Sequence, residues 1–355
     1  MSRYIVVLLA ALALAAPAPG SAQSTAERDR EREQERVERD RERERERRER
    51  EREQAEERAE RVRDRAERDR EREQERRERE LAGALDTTVT FDARGTVTVS
   101  CPGGDVVVTG TDRNQIVVKA RTERGQIRFV SNGTNATLEP AANRGCSDAQ
   151  FELSVPNGVH VVAATWSGSL KVSGVHGEVE AHAQSGDVDV RDAGETLDVE
   201  TLSGDITIQG VRGASSVHTL SGDVTLSGAR GDVEIETVSG DIELRDVVAK
   251  QIRTHSTSGD LDFGGTIVSA GRYEFSTHSG ELHLTLPASV GAQLSLSTFS
   301  GEIDTAFPIT LTPGTQGIGA SQAKKLNFSL GQGSARIIAE TFSGDVTLST
   351  TGRRP

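Results

Sequence analysis

The run SGDVDVRDAGETLDVETL (residues 185–202) is followed by SGDITIQGVRGASSVHTL (203–220) and SGDVTLSGARGDVEIETV (221–238), three consecutive blocks of one length that open on the same triplet. Working outward, the triplet starts as the variant Ser167-Gly168-Ser169, recurs at Ser185, Ser203, Ser221, Ser239 and Ser258, carries Glu third at Ser279 and Ser300, and regains Asp at Ser343. The steps are 18, 18, 18, 18, 19, 21, 21 and 43 residues. A fixed period of this length is the mark of a solenoid, in which each period is one rung stacked on the last. The step of 43 reads as two further turns, one of them interrupted by a loop around Pro308 and Pro313.

Within each block the apolar residues alternate, as they do when one face of a strand is buried. Val188, Ile206, Val224, Ile242 and Leu261 stand three places after the Ser, and Val190, Ile208, Leu226, Leu244 and Phe263 five after. A second strand supplies Val179, Leu197, Val233 and Ile252 six before it, and Ala181, Val199, Val217 and Ile235 four before, with Ser215 and Thr254 as polar exceptions. Val175, Ala193, Val211, Ala229 and Val247, eight after, plug the turn between the strands. The fold class predicted is therefore all-β: a parallel β-solenoid of 18-residue rungs, two short strands and two tight turns each. Residues 88–165 show the same strand grammar with a less regular period, so the solenoid spans residues 82–355. Its exposed edges need covering; the segment after Phe307 and the charged residues preceding the solenoid are the candidates.

Composition agrees with a narrow solenoid and excludes other classes. Only 34% of the 355 residues are hydrophobic and 3% aromatic, with Gly 36 and Trp 1, too few large side chains for a conventional core of this size. A net charge of −13 and the scarcity of aromatics argue against a nucleic-acid binder.

Residues 1–22 read as a secretory signal peptide: Arg3, an apolar run over residues 5–16, and small Gly20 and Ala22 before the cleavage point. The run is too short to span a bilayer, and no other stretch reads as a transmembrane helix. The mature chain is expected in an exported compartment: periplasm, cell envelope or extracellular space. Residues 23–81 form a low-complexity arm with 22 Arg against 24 acids, in which the string at 26–36 recurs unchanged at 66–76. This near-neutral arm reads as a solvated, partly helical spacer. Helix formers dominate and Gly and Pro are missing, but strict alternation places like charges four residues apart. There is no heptad seam for a coiled coil.

Several constellations bear on chemistry. Asp187, Asp205, Asp223, Asp241 and Asp260 form a column of acids, one per rung, whose plain role is turn chemistry beside a glycine and whose sharper role is calcium binding. Three places before each Ser stand His182, Glu200, His218, Glu236 and His255, alternating outward, either a solvated ladder or ligands for a divalent transition metal. Cys101 and Cys146 are the only cysteines, and export makes an intrachain disulfide their expected state. Arg230-Gly231-Asp232 falls where the repeat requires a turn, and Asn132-Gly133-Thr134 and Asn135-Ala136-Thr137 fit the glycosylation sequon but read better as turns. Nucleophiles and bases that recur in every rung are structural columns, whereas a catalytic constellation is unrepeated. No cofactor is required, calcium or a transition metal aside.

Phe151-Glu152-Leu153-Ser154-Val155-Pro156 leading into 161–172, the Ser-Gly-Asp ladder, and Glu340-Thr341-Phe342-Ser343-Gly344-Asp345 together resemble the bacterial putative-adhesin family, exported or envelope-associated proteins similar to parallel β-helices. The resemblance covers residues 85–350; the charged arm is not part of it. It implies a non-enzymatic, envelope-associated structural or adhesion protein presenting a repetitive surface, with envelope or cell-surface components as partners. The alternatives are a polysaccharide-active β-helix enzyme, by fold analogy, and a metal-binding or stress-responsive envelope protein.

Overall fold

The computed structural model describes residues 25–80, 83–123, 125–141, 148–308 and 324–351. The expected leader at 1–22 and Cys146 lie outside them. The chain divides into two units, Met1–Gln74 and Glu75–Pro355.

The charged arm is one α-helix, Thr25–Glu80, of 56 residues. At 1.5 Å per residue it is about 84 Å long. The doublets that break the alternation explain why the helix tolerates so many like neighbours. Across Arg47-Arg48 the phase reverses, and Arg48 meets Glu44 at 2.8 Å, Arg47 meets Glu51 at 3.1 Å and Arg50 meets Glu46 at 3.8 Å. Arg61 meets Glu57 at 2.6 Å beyond the Glu56-Glu57 doublet. These exposed i,i+4 pairs each contribute a few tenths of a kcal/mol. No helix among the described residues is long and apolar enough to cross a membrane.

The second unit is a two-faced solenoid. In each repeat a longer strand ends on the Ser of the triplet and a shorter one follows it, as in Val179–Ser185 and Val188–Arg191, then Leu197–Ser203 and Ile206–Gln209. Equivalent strands pair in parallel and in register: Leu197 lies against Val179 and Ser215, and Ile206 against Val188 and Val224. All the inward columns read from the sequence are buried, the turn plugs Val175, Ala193, Val211, Ala229 and Val247 included. Ser215 and Thr254 are buried as well, and neither hydroxyl has a partner.

The triplet turn explains the period. Gly222 sits at φ +130, and a Cβ there would stand 2.1 Å from the carbonyl oxygen of Gly204 in the rung below. Only glycine allows rungs to approach so closely. Its N–H donates to Ser239 of the next rung, and the N–H of Val224 donates to Asp241, so the turn continues the inter-rung ladder. A buried threonine column two places before the Ser completes the turn: Thr219 and Thr237 donate to the carbonyls of Ser221 and Ser239. In the wider rungs Thr277, Thr341 and Thr298 donate to glycine carbonyls of the rung beside them. Where the period lengthens to 19 and 21 residues the rung encloses more space, and Phe263, Tyr273 and Phe275 fill it, with ring centroids 5.0 and 6.4 Å from Phe263.

One sequence expectation is corrected. The last rungs do not stack in chain order. Ser343 pairs with Ser279 on one side and Ser300 on the other, so the final repeat is inserted between two rungs that precede it in sequence. The chain reaches that slot by reversing: Lys324–Leu330 runs antiparallel along Ala292–Ser300 and closes that edge. The segment after Phe307 thus supplies the cover at this edge, as expected from the sequence, and it does so as a strand. At the amino end Gly83–Thr90 and Gln115–Thr122 pair antiparallel over Ala149–Pro156, and Ile127–Ser131 pairs antiparallel with Asn135–Pro140. At both ends the parallel ladder thus gives way to antiparallel strands that cover the edges of the last parallel rungs.

Candidate binding face

The longer strands carry three outward columns, five, three and one places before the Ser, because positions six, four and two before it point into the core. The middle column contains the His and Glu residues expected from the sequence. Glu200 lies in register between His182 and His218, and Glu236 between His218 and His255. The structure resolves them into pairs: His182 Nδ1 is 3.2 Å from Glu200 Oε2, and His218 Nδ1 is 3.5 Å from Glu236 Oε2. His255 turns to Ser276 Oγ at 2.8 Å. At the other end the pairing leaves the column, with His182 Nε2 3.8 Å from Glu180, which in turn lies 3.1 Å from His160.

The outermost column was not singled out in the sequence reading. It runs Trp166, Gln184, Leu202, Leu220, Val238, Thr257, His278, Phe342, Phe299 from rung to rung, following spatial order. Trp166 is 67% exposed, and Leu202, Leu220, Val238, Phe299 and Phe342 are each about half exposed. The rings of His278, Phe342 and Phe299 stack face to face at 4.8 Å. Between Trp166 and Thr257 this row and the His/Glu column line a shallow groove of about 830 Å³, with Leu202, His218 and Leu220 among its lining. The signal was present in the sequence as an apolar residue preceding Ser-Gly at an outward position. It was hidden because an apolar residue beside a turn reads as core.

In the Ser-Gly-Asp turn that follows this row the aspartate column serves the backbone. Asp187 Oδ1 accepts the N–H of Asp205 at 3.1 Å, Asp205 that of Asp223 at 3.0 Å, Asp223 that of Asp241 at 2.9 Å, and Asp241 that of Asp260 at 2.8 Å. One oxygen of each carboxylate is thus committed to the next rung. Asp232 does likewise for Gln251 at 3.0 Å, which places the Arg230-Gly231-Asp232 tripeptide in a packed turn. Asn132 Oδ1 accepts the N–H of Thr134 and of Asn135, an Asx turn. Cys101 is buried in the strand Thr96–Thr111, and its expected disulfide partner Cys146 lies outside the described residues. On the shorter-strand face, burial pushes the Asp262 carboxyl above its usual range, with His283 in the next rung working against the shift and Glu243, Asp260 and Asp241 adding to it.

The Toastrack DUF4097 family model matches residues 86–349. No curated protein matches the chain at a significant level. Among solved structures the chain is similar to a "putative cell adhesion protein" from Clostridium sporogenes, at 9% identity and TM-score 0.23, over 76% of this chain and 100% of that one. A "putative adhesin" from Bacteroides fragilis matches at 12% identity and TM-score 0.31, over 75% and 96%. A "putative lipid binding protein" from Parabacteroides distasonis matches at 9% identity and TM-score 0.29, over 76% and 97%.

Proposed function

The chain belongs to the Toastrack DUF4097 family, and we propose that its solenoid is a non-enzymatic, exported binding module that adheres to an envelope or cell-surface protein through the longer-strand face. The observation that carries the reading is the exposed apolar row from Trp166 to Phe299. Isolated exposed apolar residues are ordinary, but six large ones in one column of nine, bordered by polar side chains, mark a contact surface. The flanking columns give the partner's chemistry. Glu180, Glu200, Glu234 and Glu236 lie on this face, and residues 82–355 carry a net −12. The matching partner presents an apolar ridge edged by Lys or Arg.

The residues that recur in every rung support a structural role rather than catalysis: the aspartates accept turn amides and the threonines cap turn carbonyls. The test is in-cell crosslinking with cell fractionation, comparing wild type with the triple variant Leu202→Ser, Leu220→Ser, Phe342→Ser. Wild type is expected in the envelope fraction with a discrete crosslinked partner. The variant, melting at the wild-type temperature, is expected to lose it. An unchanged crosslink in the variant rejects this face.

A further inference from the structure

One cluster on the longer-strand face belongs neither to the apolar row nor to the alternating column. His160 and Glu178 occupy equivalent positions in neighbouring rungs, just outside the register Val161 to Val179, and Glu180 lies diagonally beside them. His160 Nε2 is 3.1 Å from Glu180 Oε1 and 3.8 Å from Glu178 Oε2. One ligating atom from each of the three residues falls within 4.8 Å of the others, and among the described residues this is the group of His, Cys, Asp and Glu that converges so closely. Tetrahedral ligands about 2.1 Å from a zinc ion stand roughly 3.4 Å from each other. The two nitrogen-to-oxygen distances bracket that value.

Charge balance points the same way. In the same column further along, Arg253 lies between Glu234, at 3.2 Å, and Glu274, at 3.8 Å, and pairs with both. Glu178 and Glu180 have no Arg or Lys among their ion-pair partners in the described residues; their partners are the imidazoles of His160 and His182. The next residue in register with Glu180 is a third carboxylate, Asp198, whose Oδ1 is buried and has no hydrogen-bond partner. Converging carboxylates without a fixed cation repel each other and favour binding one.

We propose that His160, Glu178 and Glu180 bind a divalent transition-metal ion of the zinc class, one per chain. Mixed imidazole and carboxylate donors suit zinc, and three ligands on rigid strands leave a fourth position. His182, whose Nε2 is 3.8 Å from the second oxygen of Glu180, stands beside that position. The site lies at the Trp166 end of the binding face, since His160 and Trp166 share the strand His160–Ser167.

The experiment is isothermal titration of the full chain with zinc chloride alone, together with cobalt(II) absorption as a report on the coordination sphere. Variants His160→Ala, Glu178→Gln and His218→Ala are compared, each checked for wild-type melting. The expected result is one zinc per chain, binding weakened at least tenfold by His160→Ala and by Glu178→Gln, and unchanged by His218→Ala. Cobalt should give visible bands of tetrahedral intensity in wild type and not in His160→Ala. Equal binding by wild type and both site variants, or a loss caused equally by His218→Ala, overturns the assignment.

Discussion

Asp223 gives the sharpest test of how the rungs are held. Its N–H donates to Asp205 Oδ1 at 3.0 Å, and its own Oδ1 accepts the N–H of Asp241 at 2.9 Å. Asp223→Ala removes only the second bond, a charge-assisted one of about 1.5–3 kcal/mol when shielded. Because the turn is exposed, water recovers part of this, leaving a loss of about 1 kcal/mol. The same change removes a charge standing one rung, about 4.8 Å, from its neighbours on both sides. Coulomb repulsion at that distance in water is about 0.9 kcal/mol per neighbour before salt screening. Asp223→Asn relieves the repulsion while keeping an acceptor oxygen. The expected order is therefore Asn more stable than wild type at low salt, with a gain of about 1 kcal/mol that shrinks as salt is added, and Ala about 1 kcal/mol below Asn throughout. Urea midpoints at two sodium chloride concentrations measure both differences. Equal midpoints for Ala and Asn refute the inter-rung bond. An Asn variant less stable than wild type only when calcium is present would show instead that cations bridge the column.

Other positions extend the test to the backbone, the core and pH. Gly222→Ala should cost more than about 3 kcal/mol, because strained φ adds to a backbone collision, whereas Gly228→Ala, at φ +70 with nothing nearer than 3.6 Å, should cost about 1–2 kcal/mol; similar losses would refute the close-approach argument. Tyr273 Oη donates to the carbonyl of Ala249 at 2.8 Å and accepts the N–H of Val268 at 2.7 Å inside the core. Tyr273→Phe should therefore lose about 1–3 kcal/mol in chemical denaturation for each group orphaned, and a loss too small to measure would mean water replaces the hydroxyl. Asp262 has its folded pKa raised, chiefly by burial, so the fold binds its proton more tightly than the unfolded chain and that contribution is lost as pH rises through the folded value. Asp262→Asn should raise the melting temperature at pH 7, with the gain disappearing as pH falls below the ordinary carboxylate value of 3.8; a gain independent of pH would assign the effect to packing.

The rung was legible because every demand it makes is local. The Ser-Gly-Asp turn, the inward alternation and the apolar plug at Val211 or Ala229 repeat within one period, so three aligned blocks expose them. Order along the stack was not legible, because the slot between the Ser279 and Ser300 rungs is filled by residues far along the chain. The alternation Leu326, Phe328, Leu330 offered a strand there, but nothing in it states whether the strand runs parallel or reversed. His160 escaped notice for a related reason: it precedes the first Ser-Gly, and its partners Glu178 and Glu180 gain meaning only once Val161 is placed against Val179.

The columns divide by what holds them constant. Inward valines and leucines, the triplet glycine and the aspartate below it answer to stacking, so a change at any rung disturbs its neighbours, and these columns vary little. The column one place before the Ser answers to no such demand. Its side chains leave the sheet for water, and folding gains little from an apolar residue that stays half exposed. A turn-flanking outward site on a solenoid of net charge −12 is suited to Lys, Glu or Thr, as Gln184 and Thr257 illustrate. Six of its nine members are nevertheless large and apolar, and three neighbouring rings are stacked. Stacking along the column accounts for part of that choice, and burial against the proposed partner would account for the rest, since the same side chains would each contribute about 25 cal/mol per Å² covered. The row that the fold needs least is therefore where the binding energy of the proposed contact is to be sought.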